Sequence, residues 1–104
     1  MTTTKTDPTI HVTTDGNGKP VLAPRNDKVT VSVGSTVTWE NLSSEPITII
    51  FTNKDQAKLL VPGGKPGKPG YGTWQAPSAA GNYKYIMEGI HQSTDPEIIV
   101  EEVG

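Results

Sequence analysis

The feature that most constrains the fold is an alternation of apolar and polar residues between positions 29 and 52. The segment Val29–Val33 alternates valine with threonine or serine, and Thr36–Glu40 repeats this pattern and includes Trp39. A period of two places alternate side chains on one face of a strand, so we expect Trp39 in the core. The β-branched, apolar segment Ile47–Thr52 follows a polar turn. Since no helical period is present, we predict three strands in an antiparallel sheet.

Further short strands are predicted on either side of this run. The strand Ile10–Thr13 is followed by Asp15–Gly18, whose Asp-Gly and Asn-Gly pairs supply the positive φ angles of a tight turn. Strands are also predicted at Tyr71–Gln75, at residues 83–87, where two tyrosines and a methionine alternate, and at Glu97–Val103. The eleven Gly and nine Pro residues favour short strands joined by turns over helices.

The segment between residues 53 and 70 is predicted to be a long loop, which ends where the strand Tyr71–Gln75 begins. Residues 53–58 are compatible with one helical turn, and the apolar Leu59–Val61 needs apolar neighbours. Residues 62–70 contain three prolines and four glycines, which excludes them from a central strand. The sequence leaves their conformation open.

At 104 residues, the chain has the length of one domain. We predict an all-β sandwich of about seven or eight short strands in two sheets over residues 9–104. A flexible polar segment, residues 1–8, precedes it. This segment lacks the hydrophobic centre of a signal peptide, so the protein is either cytoplasmic or given in a mature form.

The composition excludes several classes of function. A net charge of −2 without a basic face argues against nucleic-acid binding, and we interpret the four lysines between residues 54 and 68 as a solvated loop. No apolar segment approaches the roughly 18 residues that a membrane span requires. The chain has no cysteine, which excludes disulfides, thiolate metal ligands and cysteine nucleophiles.

Several segments, taken in order, resemble the cupredoxin family. Val29–Asn41 resembles the family's paired strands that lead to a Trp-x-Asn corner, and Pro46–Ile49 lies where the family has Pro-His-Thr-Val. Gly81–Tyr85 resembles the Gly-x-Tyr-x-Tyr/Phe strand before the metal-binding loop, and Glu97–Val100 resembles the closing strand. The resemblance covers roughly residues 28–103. It implies a Greek-key β-sandwich and a periplasmic or extracellular location.

The resemblance also implies that the copper ligands of the family are not preserved. The mononuclear copper site uses two His, one Cys and usually a weak axial Met, a set suited to electron transfer. The matching positions here are Ile47 for the first His, Met87 for the Cys, Ile90 for the second His with His91 one residue beyond, and Thr94 or Asp95 for the Met. No copper cofactor is therefore expected.

An altered copper site is the main alternative. Met87 and His91 lie four residues apart, and thioether and imidazole groups are ligands that Cu(I) favours. Such a site, completed by a second chain, would belong to a copper carrier, sensor or electron-transfer protein. We favour the other interpretation, in which Met87 fills the core and His91 is a solvated loop residue, because two ligands make a weak site.

No enzymatic activity is predicted, and the sequence instead favours a binding or interaction module. Ser93 and Asp95 lie close to His91, but a linear cluster provides neither three converging groups nor an oxyanion hole. The expected contact surface is one end of the sandwich together with the loop 53–73. It carries the apolar residues Ile47, Met87 and Ile90, with His91 beside them. The sequence does not identify the protein partner or the oligomeric state.

A carbohydrate-binding or adhesion module is a second alternative. Tyr71 and Trp74 follow the proline-rich loop, where exposed aromatic side chains would stack on a sugar or anchor a protein. The competing interpretation is that Trp74 packs inside the sandwich. Asn41–Ser43 matches a glycosylation acceptor, but the resemblance gives Asn41 a structural role at a corner.

Overall fold

The computed structural model describes residues 7–52, 58–88, 90 and 95–102 of the chain. These ranges contain nine β-strands and no helix, so no helix within them could cross a membrane. The strands are β1 (Thr9–Thr14), β2 (Pro20–Leu22), β3 (Lys28–Ser32), β4 (Thr36–Asn41), β5 (Ile47–Phe51), β6 (Lys58–Val61), β7 (Gly70–Gln75), β8 (Gly81–Met87) and β9 (Glu97–Glu101).

The strands form two mixed sheets that pack against each other as a sandwich. One sheet has the order β2-β1-β4-β7, and the other has the order β3-β9-β8-β5-β6. The β1–β4 and β3–β9 pairs are parallel, and the other pairs are antiparallel. The predicted all-β architecture with two sheets is confirmed.

The pairing of the three strands predicted first differs from the expectation. β3 and β5 lie in the five-stranded sheet, whereas β4 lies in the four-stranded sheet. The prediction of one antiparallel sheet from these strands was therefore wrong. Gly34, with φ of 77°, forms part of the tight turn that carries the chain from β3 to β4 in the opposite sheet. Alternation identifies which face of a strand is buried. It does not identify the sheet, because the strands of both sheets bury an apolar face in the same core.

Two of the nine strands were not predicted. β2 is three residues long and pairs with β1 at the edge of its sheet. β6 lies in the segment predicted as a loop, where the fully buried Val61 pairs with Ile47 of β5. The pairing provides apolar neighbours for Leu59 and Val61, whereas Leu60 lies opposite Thr48 and is 65% exposed. Of the helical turn predicted at 53–58, residues 53–57 lie outside the described ranges, and Lys58 begins β6.

The core between the sheets contains a chain of five aromatic rings. Trp39 packs edge-on against Tyr85, with the ring centroids 5.6 Å apart. Phe51 stacks on Trp74 at 4.6 Å, and Trp74 contacts Tyr83 at 5.6 Å. Each of these pairs joins a residue of one sheet to a residue of the other, and aromatic pairs stabilise beyond the area they bury. The predicted burial of Trp39 is confirmed.

Hydrogen bonding to the sheet begins before the predicted start of the domain. Asp7 Oδ1 accepts a hydrogen bond from Thr36 N at 2.8 Å, and Pro8 O accepts one from Thr38 N at 3.1 Å. The last two residues of the segment predicted to be flexible are therefore attached to β4. Residues 1–6 lie outside the described ranges.

We predict that Trp74→Ala lowers the free energy of unfolding by about 3–5 kcal/mol, because it removes a large buried ring from the core. Tyr71→Ala is the matched control on the same strand. Tyr71 is 54% exposed, and its loss should cost less than about 1 kcal/mol. Urea denaturation followed by circular dichroism measures both. Equal stability of the two variants would contradict the assignment of Trp74 to the core.

Candidate functional site

The turn between β4 and β5 is organised by the side chain of Asn41, which is completely buried. Its Nδ2 donates to Glu45 O at 2.8 Å and to Pro62 O at 3.1 Å. Its Oδ1 accepts from Ser43 N at 3.0 Å and from Ser43 Oγ at 2.6 Å. A carboxamide has two donors and two acceptor positions, so every one of them is used. Asn41 is therefore a structural corner residue, and in this fold its nitrogen is inaccessible for glycosylation.

The proline- and glycine-rich residues 62–70 form a hairpin. Lys65 and Lys68 exchange two backbone hydrogen bonds, each of 2.8 Å. Pro66 and Gly67 lie between them, and Gly67 has φ of 77°, as expected for the second and third residues of a type II turn. The base of the hairpin is held by a hydrogen bond of 2.7 Å from Gly64 N to the carbonyl oxygen of Ser43.

Backbone-to-backbone packing fixes the hairpin against the turn. A Cβ atom added to Gly63 would fall on the carbonyl oxygen of Ser44, and one added to Gly64 would lie 2.8 Å from that of Asn41. Within the hairpin itself, a Cβ atom added to Gly70 would fall on the carbonyl oxygen of Pro62. Only glycine permits such close approach of two backbones. The segment is therefore a fixed part of the structure, although its composition is typical of a mobile loop.

A cleft of about 480 Å³ lies between the turn and the hairpin, and we call it the corner cleft. Leu42 and Ser44 line it from the turn, and residues 64–69 line it from the hairpin. Leu42 is 53% exposed. Among the described residues, the charged side chains in this lining are Lys65 and Lys68, and none of the described acidic residues lines the cleft.

A smaller concavity of about 240 Å³ lies beside the corner cleft. Pro46 and Ile90 supply apolar groups to it, and Glu45 and Lys19 form an ion pair at its edge with Nζ and Oε1 3.4 Å apart. Ile90 is half-buried, and its N–H donates to Met87 O at 3.1 Å. We call the surface formed by residues 41–46, residues 62–70 and Ile90 the corner end of the sandwich.

The apolar patch expected at this end is not built as predicted. Ile47 and Met87 are 2% and 1% exposed and lie in the core, so neither offers surface to a partner. Both occupy inward positions in the alternation of β5 and β8, and neither side chain has a polar group that would hold it at the surface. Ile90 does reach the surface in part. His91, Ser93 and Thr94 lie outside the described ranges, so the alternative of a copper site formed by Met87 and His91 stays untested.

Leu42 is one of the exposed apolar residues that the sequence analysis missed. Leu60 of β6 and Ile86 of β8, which are 65% and 48% exposed, are others, but they lie outside the corner cleft. Leu42 lies in a polar turn between two strands, so no alternating apolar residue beside it marked it as part of a strand. The available signal was its isolation, because a leucine at the second position of Asn-Leu-Ser-Ser has no strand face to occupy.

The two aromatic residues predicted for sugar binding lie on opposite faces of β7. Trp74 is buried against Phe51, whereas Tyr71 is exposed on the outer face of the four-stranded sheet. The Tyr71 hydroxyl donates to Glu40 Oε2 at 3.2 Å, and His11 Nδ1 lies 3.1 Å from Glu40 Oε1. Desolvation, followed by the hydrogen bond and the negative charge of Glu40, raises the pKa of Tyr71. One exposed ring does not form the expected two-residue platform.

Comparison with known proteins gives matches among solved structures only: no family model matches the chain, and no curated protein sequence is similar to it. A proline-to-glycine mutant of amicyanin, in the reduced Cu(I) form at pH 4, aligns with a TM-score of 0.62 and 22% identity over 91% of this chain and 82% of that chain. An oxidised methionine-to-lysine mutant of amicyanin aligns with a TM-score of 0.61 and 22% identity, again over 91% of this chain and 82% of that chain. An oxidised proline-to-alanine mutant of amicyanin aligns with a TM-score of 0.54 and 28% identity over 72% of this chain and 70% of that chain. The chain has a cupredoxin-like fold.

The residues of this cupredoxin-like chain do not fit the family's copper. The chain has no cysteine to supply a thiolate. Ile47 and Ile90 carry no donor atom, and the thioether of Met87 is buried among apolar side chains. Among the described residues, no group of three or more His, Asp or Glu side chains could hold a metal ion. A type 1 copper site requires the imidazole and thiolate ligands that these positions lack.

We predict that Asn41→Ala lowers the free energy of unfolding by about 3 kcal/mol, because it leaves buried polar groups of the turn and hairpin without partners. Asn17→Ala, at an exposed turn position, is the control and should change it by less than about 1 kcal/mol. Hydrogen exchange adds a local measurement, since the amides of Ser43 and Gly64 should lose protection first. A variant as stable as the control would contradict the role of Asn41.

We predict that Cu(II) added to the protein produces no intense visible absorption, because that absorption requires a copper–thiolate bond. We also expect Cu(I) binding to be unchanged in Met87→Leu, a substitution that conserves volume and should cost less than about 1.5 kcal/mol. Cu(I) binding tighter than about 1 μM, roughly −8 kcal/mol, that is lost in both Met87→Leu and His91→Ala would instead establish the altered copper site.

Proposed function

We propose that the chain is a non-catalytic binding domain that contacts a protein partner through the corner end and holds no copper. The observation that carries the proposal is Leu42, a large apolar residue that is 53% exposed at the corner cleft. Apolar surface with a polar rim often marks a site where another protein binds. A concave site also allows more contact with a partner than a flat one.

The rigidity of the corner end supports this proposal. Asn41 joins the turn to the hairpin through its bonds to Glu45 O and Pro62 O, and the glycine contacts hold the two backbones together. A partner would therefore meet a surface that is already ordered. Binding to such a surface avoids the entropy cost of fixing a loop.

The packing beneath the corner end also agrees with a surface role rather than a metal role. Ile47 and Met87 fill the space between the sheets with apolar groups. A metal site here would need side chains with donor atoms at these positions and a route by which the ion could reach them. The resemblance to cupredoxins additionally supports a single domain over residues 9–104 and a location in the periplasm or outside the cell.

The absence of enzymatic activity is part of the proposal. His11, Glu40 and Tyr71 form a row of hydrogen-bonding groups across three strands. This row lies on the outer face of a sheet, where water reaches it freely. A general base and a nucleophile work in a site that positions a substrate and limits water. The row therefore gives no support to a catalytic function.

The proposal is tested by site-specific photocrosslinking in extracts of the cells that make the protein. A photoreactive phenylalanine analogue replaces Leu42 in one sample and Ser78 in another. Ser78 is a fair control because it is exposed and lines a concavity of about 420 Å³ at the opposite end of the β4–β7 pair. We expect a crosslinked product from position 42 alone. Excess wild-type protein should suppress it, whereas Leu42→Asp should not. Crosslinking from position 78 alone, or none from position 42, would contradict the proposal.

A further inference from the structure

We propose that the corner cleft binds an acidic segment of a protein partner, in which an apolar side chain is flanked by carboxylates. This inference rests on the proposed function, because it names the chemistry of the partner that the corner end would contact. It adds the requirement that the partner segment carries negative charge, which the exposure of Leu42 alone does not imply.

The charge in the corner cleft has one sign. Lys65 and Lys68 are exposed and line it, and its lining contains no carboxylate from the part of the chain that the structure describes. The neighbouring carboxylate on the turn, Glu45, is paired with Lys19 at 3.4 Å. The whole chain carries a net charge of −2, so this local excess of positive charge runs against the overall balance. Complementary charge of this kind steers association and selects partners.

The position of the two lysines within the hairpin strengthens the argument. Lys65 and Lys68 form a directly opposed pair that exchanges both backbone hydrogen bonds. Side chains at such positions lie on the same face of a hairpin, and like charges there repel each other. The pair therefore opposes the turn that Pro66 and Gly67 favour. Carboxylates of a partner would remove this repulsion, which gives an acidic ligand an additional gain on binding.

The apolar part of the cleft determines the class of partner. Leu42, Pro66 and Pro69 supply its apolar groups, and no aromatic residue within the described ranges lines it. Binding of single-stranded nucleic acid uses aromatic rings on which bases stack. An acidic peptide with an apolar side chain satisfies both the lysines and Leu42, whereas a phosphate backbone would leave Leu42 uncovered. We therefore assign the cleft to an acidic peptide segment.

The inference is tested by NMR titration of the ¹⁵N-labelled full chain with three synthetic pentapeptides. Each has a central leucine, which is flanked by glutamates, by serines or by lysines. We expect the glutamate peptide to shift the amides of Leu42, Gly64 and Gly67. The serine peptide should bind about tenfold more weakly and the lysine peptide not measurably. A salt increase from about 0.05 M to about 0.5 M should weaken the glutamate peptide severalfold, since exposed charges are screened.

A pair of charge-matched variants isolates the two lysines. The variant Lys65→Gln with Lys68→Gln should lose at least about tenfold in affinity for the glutamate peptide. The control variant, Arg25→Gln with Lys58→Gln, removes the same charge from exposed positions outside the cleft lining and should keep the wild-type affinity. Equal loss in both variants would show a general charge effect and overturn the inference.

The remaining outcomes separate this inference from the proposed function. Equal shifts at the same amides with all three peptides would keep the corner end as a contact surface and overturn the acidic partner. No shift with any peptide at about 5 mM would also overturn it, and crosslinking at position 42 would then decide the proposed function by itself. Larger shifts with a short deoxythymidine oligonucleotide than with the glutamate peptide would assign the cleft to nucleic acid instead.

Discussion

One buried carboxamide holds together the corner end of the sandwich. The side chain of Asn41 links the last residue of β4 to the turn before β5 and to the first residue of the hairpin. These segments come from different parts of the sequence, and β4 and β5 belong to different sheets. In a buried environment an unpaired amide is costly, so such a network is favourable only when every member has a partner. The complete use of this amide therefore specifies one arrangement of the corner.

At the same end, apolar side chains occupy the described positions that resemble the family's ligand positions. The positions that resemble ligand positions are filled by Ile47 and Met87, which pack into a core that also contains the aromatic rings between the sheets. Apolar burial at these positions stabilises the fold directly. The chemical character of the end then lies on its surface, with Leu42 and the two lysines of the hairpin.

The sequence predicted which residues face inward better than it predicted which strands are neighbours. Trp39 and the tyrosines of β8 are buried as their alternation indicated. The partners of β3 and β4 were not predictable in this way, because a period of two reports the face of a strand and carries no information about register or sheet. The corner cleft was missed for a related reason. It is lined by Leu42 and by residues 64–69, which are distant in sequence. Their relative position follows from packing rather than from local pattern.

The place of β9 in its sheet has a consequence for how the chain folds. β9 is the last strand in sequence, yet it lies between β3 and β8, and its parallel partner β3 is separated from it by most of the chain. Contacts across such long separations require closure of large loops and slow the formation of β-structure. Until β9 arrives, β3 has no partner in its sheet and the apolar residues of β8 have one open flank. The last strand in sequence is thus an interior strand of the sheet. Loss of β9 would separate β3 from the other strands of the sheet, whereas loss of an edge strand would only shorten the sheet.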